Sequence, residues 1–209
     1  MTTGFNIQPE NVKVFYEGRY MSIQASFEGI ERIAYLKHHI AIDCFLGALE
    51  LPPVVKEISS MVKVMLGDEC GHQYFPVSCV ALDETAAEKW VALTRRIVGS
   101  RQKERDSDKH LVRHLYDLYQ LNQQNSLSDQ YFVVVKKVLQ KERSMFGGNI
   151  SDPSNDVPSD EKLALHYLRS DSQWEEHWRY FLEQMVYQPV KPSFEQAVGV
   201  IEGLAVDRN

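Results

Sequence analysis

An α+β architecture, strand-rich first and helical afterwards, is the fold class this sequence predicts. Two observations carry it. Up to about Leu82 the apolar residues come in short β-branched and aromatic runs, many with period two. From Asp83 onward they recur at helical spacing between polar turns. The predicted organisation is a sheet-bearing part over residues 1–82 and a helical region over 83–209.

The strands come first. Val12 to Tyr16 and Tyr20 to Phe27 are rich in β-branched and aromatic residues, and Glu17-Gly18 between them predicts a hairpin turn. His38 to Leu46 alternates. Ile40, Ile42, Cys44 and Leu46 face one way, and His39, Ala41, Asp43 and Phe45 the other. Pro52-Pro53 breaks the chain. Apolar residues at 54, 55, 58, 61, 62 and 65 then predict a helix over Val54 to Leu66. Tyr74 to Leu82 returns to strand character.

The helices follow. Asp83 suits an N-cap, Glu84 and Glu88 suit the first turns, and the helix is expected to stop at Gly99. Residues 101 to 109 form a charged loop. Asp108 to Asn122 places Leu111, Leu115, Leu118 and Leu121 on one stripe. Ser128 to Met145 reads as the next helix, and the stretch from Gly147-Gly148-Asn149 through Pro158 as a linker. Ser159 to Arg169, Ser170 to Tyr187 and Ser193 to Ala205 read as three more helices.

Composition bounds the function. The chain has 209 residues, 44% hydrophobic and 25% charged, enough to bury a core. Its 23 Lys+Arg against 29 Asp+Glu leave a net charge of −6, which excludes a uniformly basic nucleic-acid coat and allows a local basic site. Cys44, Cys70 and Cys79 are odd in number with no paired spacing. A disulfide framework and a structural zinc site are therefore not expected, and Cys44 and Cys79 read as small core residues. No apolar run is long enough to span a bilayer, and no signal peptide is visible. The expectation is a soluble, reduced, cytoplasmic protein without membrane contact.

Some chemistry-bearing residues can be weighed from the pattern alone. Arg113, Asp117 and Gln120 fall at i, i+4 and i+7 and share one helix face, opposite the leucines. An Arg–Asp pair on a solvated helix would have the same spacing. Asp106-Ser107-Asp108 reads as a helix N-cap. Arg105-x-x-x-x-His110 has the spacing of a ribonuclease motif, but the pattern is short and its loop lacks the helical setting that chemistry needs. His38 and His39 point to opposite faces and do not share an ion. Trp174, Trp178, Tyr180, Phe181 and Tyr187 read as a core or interface stripe. Lys136-Lys137, Lys141 and Arg143 make a basic helix end, a solvated face or an RNA-backbone contact.

The run from Tyr74 through Tyr119 resembles the AbiEii family, nucleotidyltransferase-like toxins of type IV toxin–antitoxin and abortive-infection systems. The matching pieces are Glu88-Lys89 with Leu93 one turn on, and Arg113-His114-Leu115-Tyr116-Asp117-Leu118-Tyr119. The resemblance implies a core of the polymerase-β type with a partial mixed sheet, followed by a helical C-terminal region. It implies Mg²⁺-dependent nucleotidyl transfer from a nucleoside triphosphate to RNA, and a cognate antitoxin as partner. By that resemblance Lys89 contacts the triphosphate, Asp117 is a catalytic base or orienting acid, and Arg113 orients Asp117 or binds phosphate. Asp43 is the candidate metal carboxylate, its alternative being an edge-strand acid facing water.

The family's first motif, a Gly-Gly or Gly-Ser turn followed by Asp-x-Asp, is not found before Asp43. Two-metal phosphoryl transfer on a single carboxylate loses most of its electrostatic stabilisation. Little or no transferase activity is therefore expected of this chain alone, as in a truncated, split or degenerate enzyme. The other class of function is a non-catalytic module that binds an antitoxin, a partner subunit or RNA.

Overall fold

The structure is a computed structural model. It describes residues 7–27, 39–59, 74–102, 108–124, 127–146 and 157–205. The chain divides into two compact units, Met1–Ala48 and Leu49–Asn209.

The first unit holds an antiparallel sheet of β1 (Val12–Phe15), β2 (Tyr20–Ser26) and β3 (His39–Phe45), with β2 central. The predicted hairpin joins β1 to β2, pairing Val12 with Ile23 and Phe15 with Tyr20. Its turn needs left-handed backbone: Tyr16, Glu17 and Gly18 have φ of 51°, 55° and 87°. Glycine adopts this without steric cost, whereas the other two bring the Cβ penalty. The turn closes with Arg19 N–H donating to Tyr16 O at 3.1 Å. β3 pairs along all of β2, from Tyr20 opposite Phe45 to Ser26 opposite His39.

The second unit begins with a hairpin of β4 (Val54–Ile58) and β5 (Phe75–Cys79), Val54 opposite Cys79 and Ile58 opposite Phe75. This corrects the predicted helix from Val54. The apolar spacing there suits a helix, but Val54, Val55 and Ile58 are β-branched and β5 supplies cross-strand partners. Residues 60–66 of that prediction lie outside the described residues.

Six helices follow among the described residues. They are α1 (Leu82–Gln102), α2 (Val112–Gln123), α3 (Gln130–Phe146), α4 (Val157–Ser170), α5 (Gln173–Met185) and α6 (Phe194–Leu204). The α+β expectation is met. α1 is the hub, packed against α2, α3 and α4, while α2 also meets α5 and α6. α1 runs past Gly99 instead of stopping there. Nothing crowds that position, and neighbouring Ile97 and Val98 are buried, so packing outweighs the modest helix penalty of one glycine.

The core is helical. Trp90, Val91, Leu93 and Ile97 of α1 meet Leu115 and Leu118 of α2, Tyr131, Val134 and Val135 of α3, and the tryptophans of α5. Trp174 and Trp178 are 1% and 2% exposed and Phe181 is half-buried, so this part of the predicted aromatic stripe is core, whereas Tyr180 and Tyr187 are exposed. Polar ties fix the helix ends. Ser193 caps α6 in a capping box with Gln196. Asp83 accepts from Ser128 N–H and Oγ–H at 2.8 and 2.6 Å, so it ties α1 to the start of α3. The two described cysteines depart from expectation, because Cys44 is exposed and Cys79 half-buried. Both lie on small sheets whose described strands bury few side chains.

Candidate active site

The arrangement starts from the leucine stripe of α2. Leu115 and Leu118, with Leu111 just before the helix, are fully buried, which turns positions 113, 117 and 120 away from the core. Asp108 caps the short 3-10 turn Lys109–Leu111 leading into α2, accepting from His110 N–H at 3.0 Å, as the N-cap reading expects. On α1, burial of Trp90, Leu93 and Ile97 sets Lys89 and Arg96 at the margin of the helix interface.

Lys89 and Asp117 meet there. Lys89 Nζ donates to Asp117 Oδ2 at 2.6 Å, between side chains 27% and 42% exposed. A pair so open to water contributes about 0.2–1 kcal/mol. Either partner can therefore be drawn off by a ligand at small cost. Arg113 lies one helical turn before Asp117, exposed, on the same side of α2.

His114 sits half-buried beside this pair. Its Nδ1 is enclosed and has no hydrogen-bond partner among the described residues. Burial holds its pKa below the ordinary histidine value, and the charges of Lys89 and Arg96 push it the same way. The ring is thus neutral at neutral pH.

Asp43 belongs to the Met1–Ala48 unit, whereas Lys89, Arg113 and Asp117 belong to the other. It is exposed on β3, an edge strand, opposite Ser22. The Tyr20 hydroxyl hydrogen-bonds to it, which together with partial desolvation raises the tyrosine pKa. Among the described residues no three His, Cys, Asp or Glu side chains converge as a metal site. Asp43 by itself offers two oxygens, whereas Mg²⁺ takes six ligands, often several of them waters and substrate phosphates. A resident Mg²⁺ site is therefore not built by these residues alone.

Other candidates resolve individually. His38, Arg105 and Asp106 lie outside the described residues, as does the Arg143 side chain. Lys136 and Lys137 are exposed on α3, with Lys137 Nζ 3.9 Å from a Glu50 carboxylate oxygen. Sequence reasoning assigned no role to His114 or Arg96. Their neighbours are set by the crossing of α1 and α2, which helical periodicity alone does not provide. It also missed that Glu84, fully buried, accepts the backbone N–H groups of Glu50 and Leu51, each at 2.9 Å. A single acid in a first helical turn carries no mark of such a distant partner.

Residues 2–200 match the family described as the nucleotidyl transferase AbiEii toxin of type IV toxin–antitoxin systems. The chain belongs to the AbiEii family. That match covers nearly the whole chain, strands and helices together, and agrees with the resemblance carried by Lys89 and the Arg113–Tyr119 helix. No curated protein and no solved structure matches it. No described helix of this AbiEii protein is long and apolar enough to cross a membrane.

Proposed function

We propose that this AbiEii protein transfers a nucleotidyl group from a nucleoside triphosphate to an RNA acceptor. The Lys89–Asp117 contact carries the reading. It joins the two residues that the family resemblance singles out, at a half-open surface where their pairing is weak. In this scheme the incoming triphosphate displaces Asp117 from Lys89. The ammonium then neutralises phosphate oxygen charge as a point cation. Arg113 adds a planar fork of donors to the same phosphates. Asp117, released from the ion pair, accepts the proton of the acceptor hydroxyl as it attacks the α-phosphorus and pyrophosphate leaves.

Mg²⁺ would supply charge neutralisation on the phosphates, but the described residues do not build its site, and Asp43, in the Met1–Ala48 unit, takes no part in this scheme. Without a set of metal carboxylates the rate expected of the chain alone is low. The setting is the cytoplasm of a cell that carries a cognate antitoxin and faces abortive infection.

A second reading keeps the fold as a non-catalytic module for an antitoxin or partner subunit. The exposed apolar residues of the β4–β5 hairpin favour it, with Val55 and Phe75 64% and 57% exposed. Incubating the protein with labelled nucleoside triphosphates, bulk RNA and Mg²⁺ separates the two. Slow labelling that disappears in Lys89→Met and Asp117→Asn supports transfer. Labelling that survives both substitutions contradicts the site, and no labelling at all favours the interaction module.

A further inference from the structure

The arginines of the helical unit divide into two groups. Arg95 pairs with Glu142 at 2.7 Å, Arg101 pairs with Asp171, and Arg169 reaches both Glu195 and Glu202. These guanidiniums are committed to neighbouring helices. Arg96, Arg113 and Arg179 have no acidic partner among the described residues, and all three are exposed. Arg179 stands apart on α5, whereas Arg96 bears on His114 from α1 and Arg113 precedes His114 on α2.

Arg96 lies seven residues after Lys89, two turns along one face of α1, or about 10.5 Å. That span is long for a single anion. It leaves room for a second anionic ligand, such as a phosphodiester strand, beside the one on Lys89. His114 adds a neutral donor to the row. Its enclosed Nδ1 has no partner among the described residues, and a bare lone pair is better tolerated there than an orphaned N–H. The proton therefore sits on Nε2, the nitrogen left to donate. Guanidinium, ammonium and a neutral imidazole N–H are all donors, a set matched to phosphate oxygens. On a chain of net charge −6, a polyanion needs such a local row of cations to approach.

We infer that Arg96 and His114, on the face that Lys89 begins, bind the phosphodiester backbone of a single nucleic-acid strand. The inference rests on the proposed transfer function only in making that strand the acceptor. The donor triphosphate is assigned to Lys89 and Arg113, whereas Arg96 is assigned to the strand alone.

The test is fluorescence anisotropy of the full chain with labelled single-stranded 12-mers of RNA and of DNA. Nucleoside triphosphate binding is measured in parallel. Arg96→Gln is expected to weaken both oligonucleotides severalfold and to reduce the salt slope by about 0.7, one phosphate contact's worth. Triphosphate affinity should be unchanged in that variant. Arg179→Gln, which removes the same charge from an exposed position on α5, should leave strand affinity unaltered. The inference is overturned if Arg96→Gln binds both strands like the wild type, if the wild type binds neither, or if Arg179→Gln is equally weakened. If Arg96→Gln weakens the strands while Lys89→Met keeps full triphosphate affinity, the strand site stands and the proposed donor site fails.

Discussion

The three-stranded sheet and the helical unit use the same kinds of residue to opposite ends. Among the described residues of the sheet only Ala25 is buried, and Val14, Ile40, Ile42 and Phe45 remain open. The helices bury Trp90, Trp174, Leu93 and Ile97 to 1% exposure or less. Apolar composition alone thus does not locate a core. In the sheet, order rests on ladder hydrogen bonds and cross-strand neighbours, each pair giving about 0.2–1 kcal/mol. In the helices it rests on burial, and the polar residues at the margins are placed by the core beneath them. Lys89 and Asp117 meet because Trp90 and Leu118 are locked.

The comparison can be broken most forcefully at Trp90. Trp90→Ala removes a fully buried ring and its Nε1–H donation to the buried carboxylate of Glu161, 2.7 Å away. It should cost about 3–5 kcal/mol in chemical denaturation. Val14→Ala on the sheet, where the side chain is 59% exposed, should cost within about 0.5 kcal/mol. Similar losses at the two sites would refute the contrast. A smaller loss, about 1.5–3 kcal/mol, is expected for Glu84→Leu, which strands the amides of Glu50 and Leu51. Denaturant midpoints measure it, and a neutral result would mean those bonds do not hold the segment before Pro52.

The smallest effect is that of His114. Its folded pKa lies below the unfolded value, so below about pH 6.5 the unfolded chain binds the extra proton. Its stabilising contribution is complete above that pH and falls away as pH drops toward the folded pKa. His114→Gln should flatten this part of the stability profile between pH 7 and 5. An unchanged slope would show that the ring is not held neutral by its surroundings.

Much of the helical unit was legible because its signals are local. Ser193 and Gln196 make a capping box within four residues, and Leu111, Leu115 and Leu118 repeat at helical spacing. Val54 to Ile58 misled because its apolar spacing fits a helix, while the strand β5 that decides the matter lies some twenty residues away. Cys44 misled because an apolar neighbourhood in sequence became an exposed edge strand. At the site, Lys89, Arg113 and Asp117 were readable from their motifs. The Lys89–Asp117 contact and the position of Arg96 depend on how α1 crosses α2, a tertiary property with no local signature.

The central claim is that Lys89 exchanges Asp117 for a nucleotide's phosphates. Calorimetric titration of a nucleoside triphosphate into the wild type, Lys89→Met and Asp117→Asn tests it most directly. The account predicts that Lys89→Met weakens binding at least about tenfold, a loss of about 1.4 kcal/mol. It predicts that Asp117→Asn binds as well as the wild type or better, because Lys89 no longer has to leave a partner. Wild-type affinity in Lys89→Met, or lost affinity in Asp117→Asn, would contradict it.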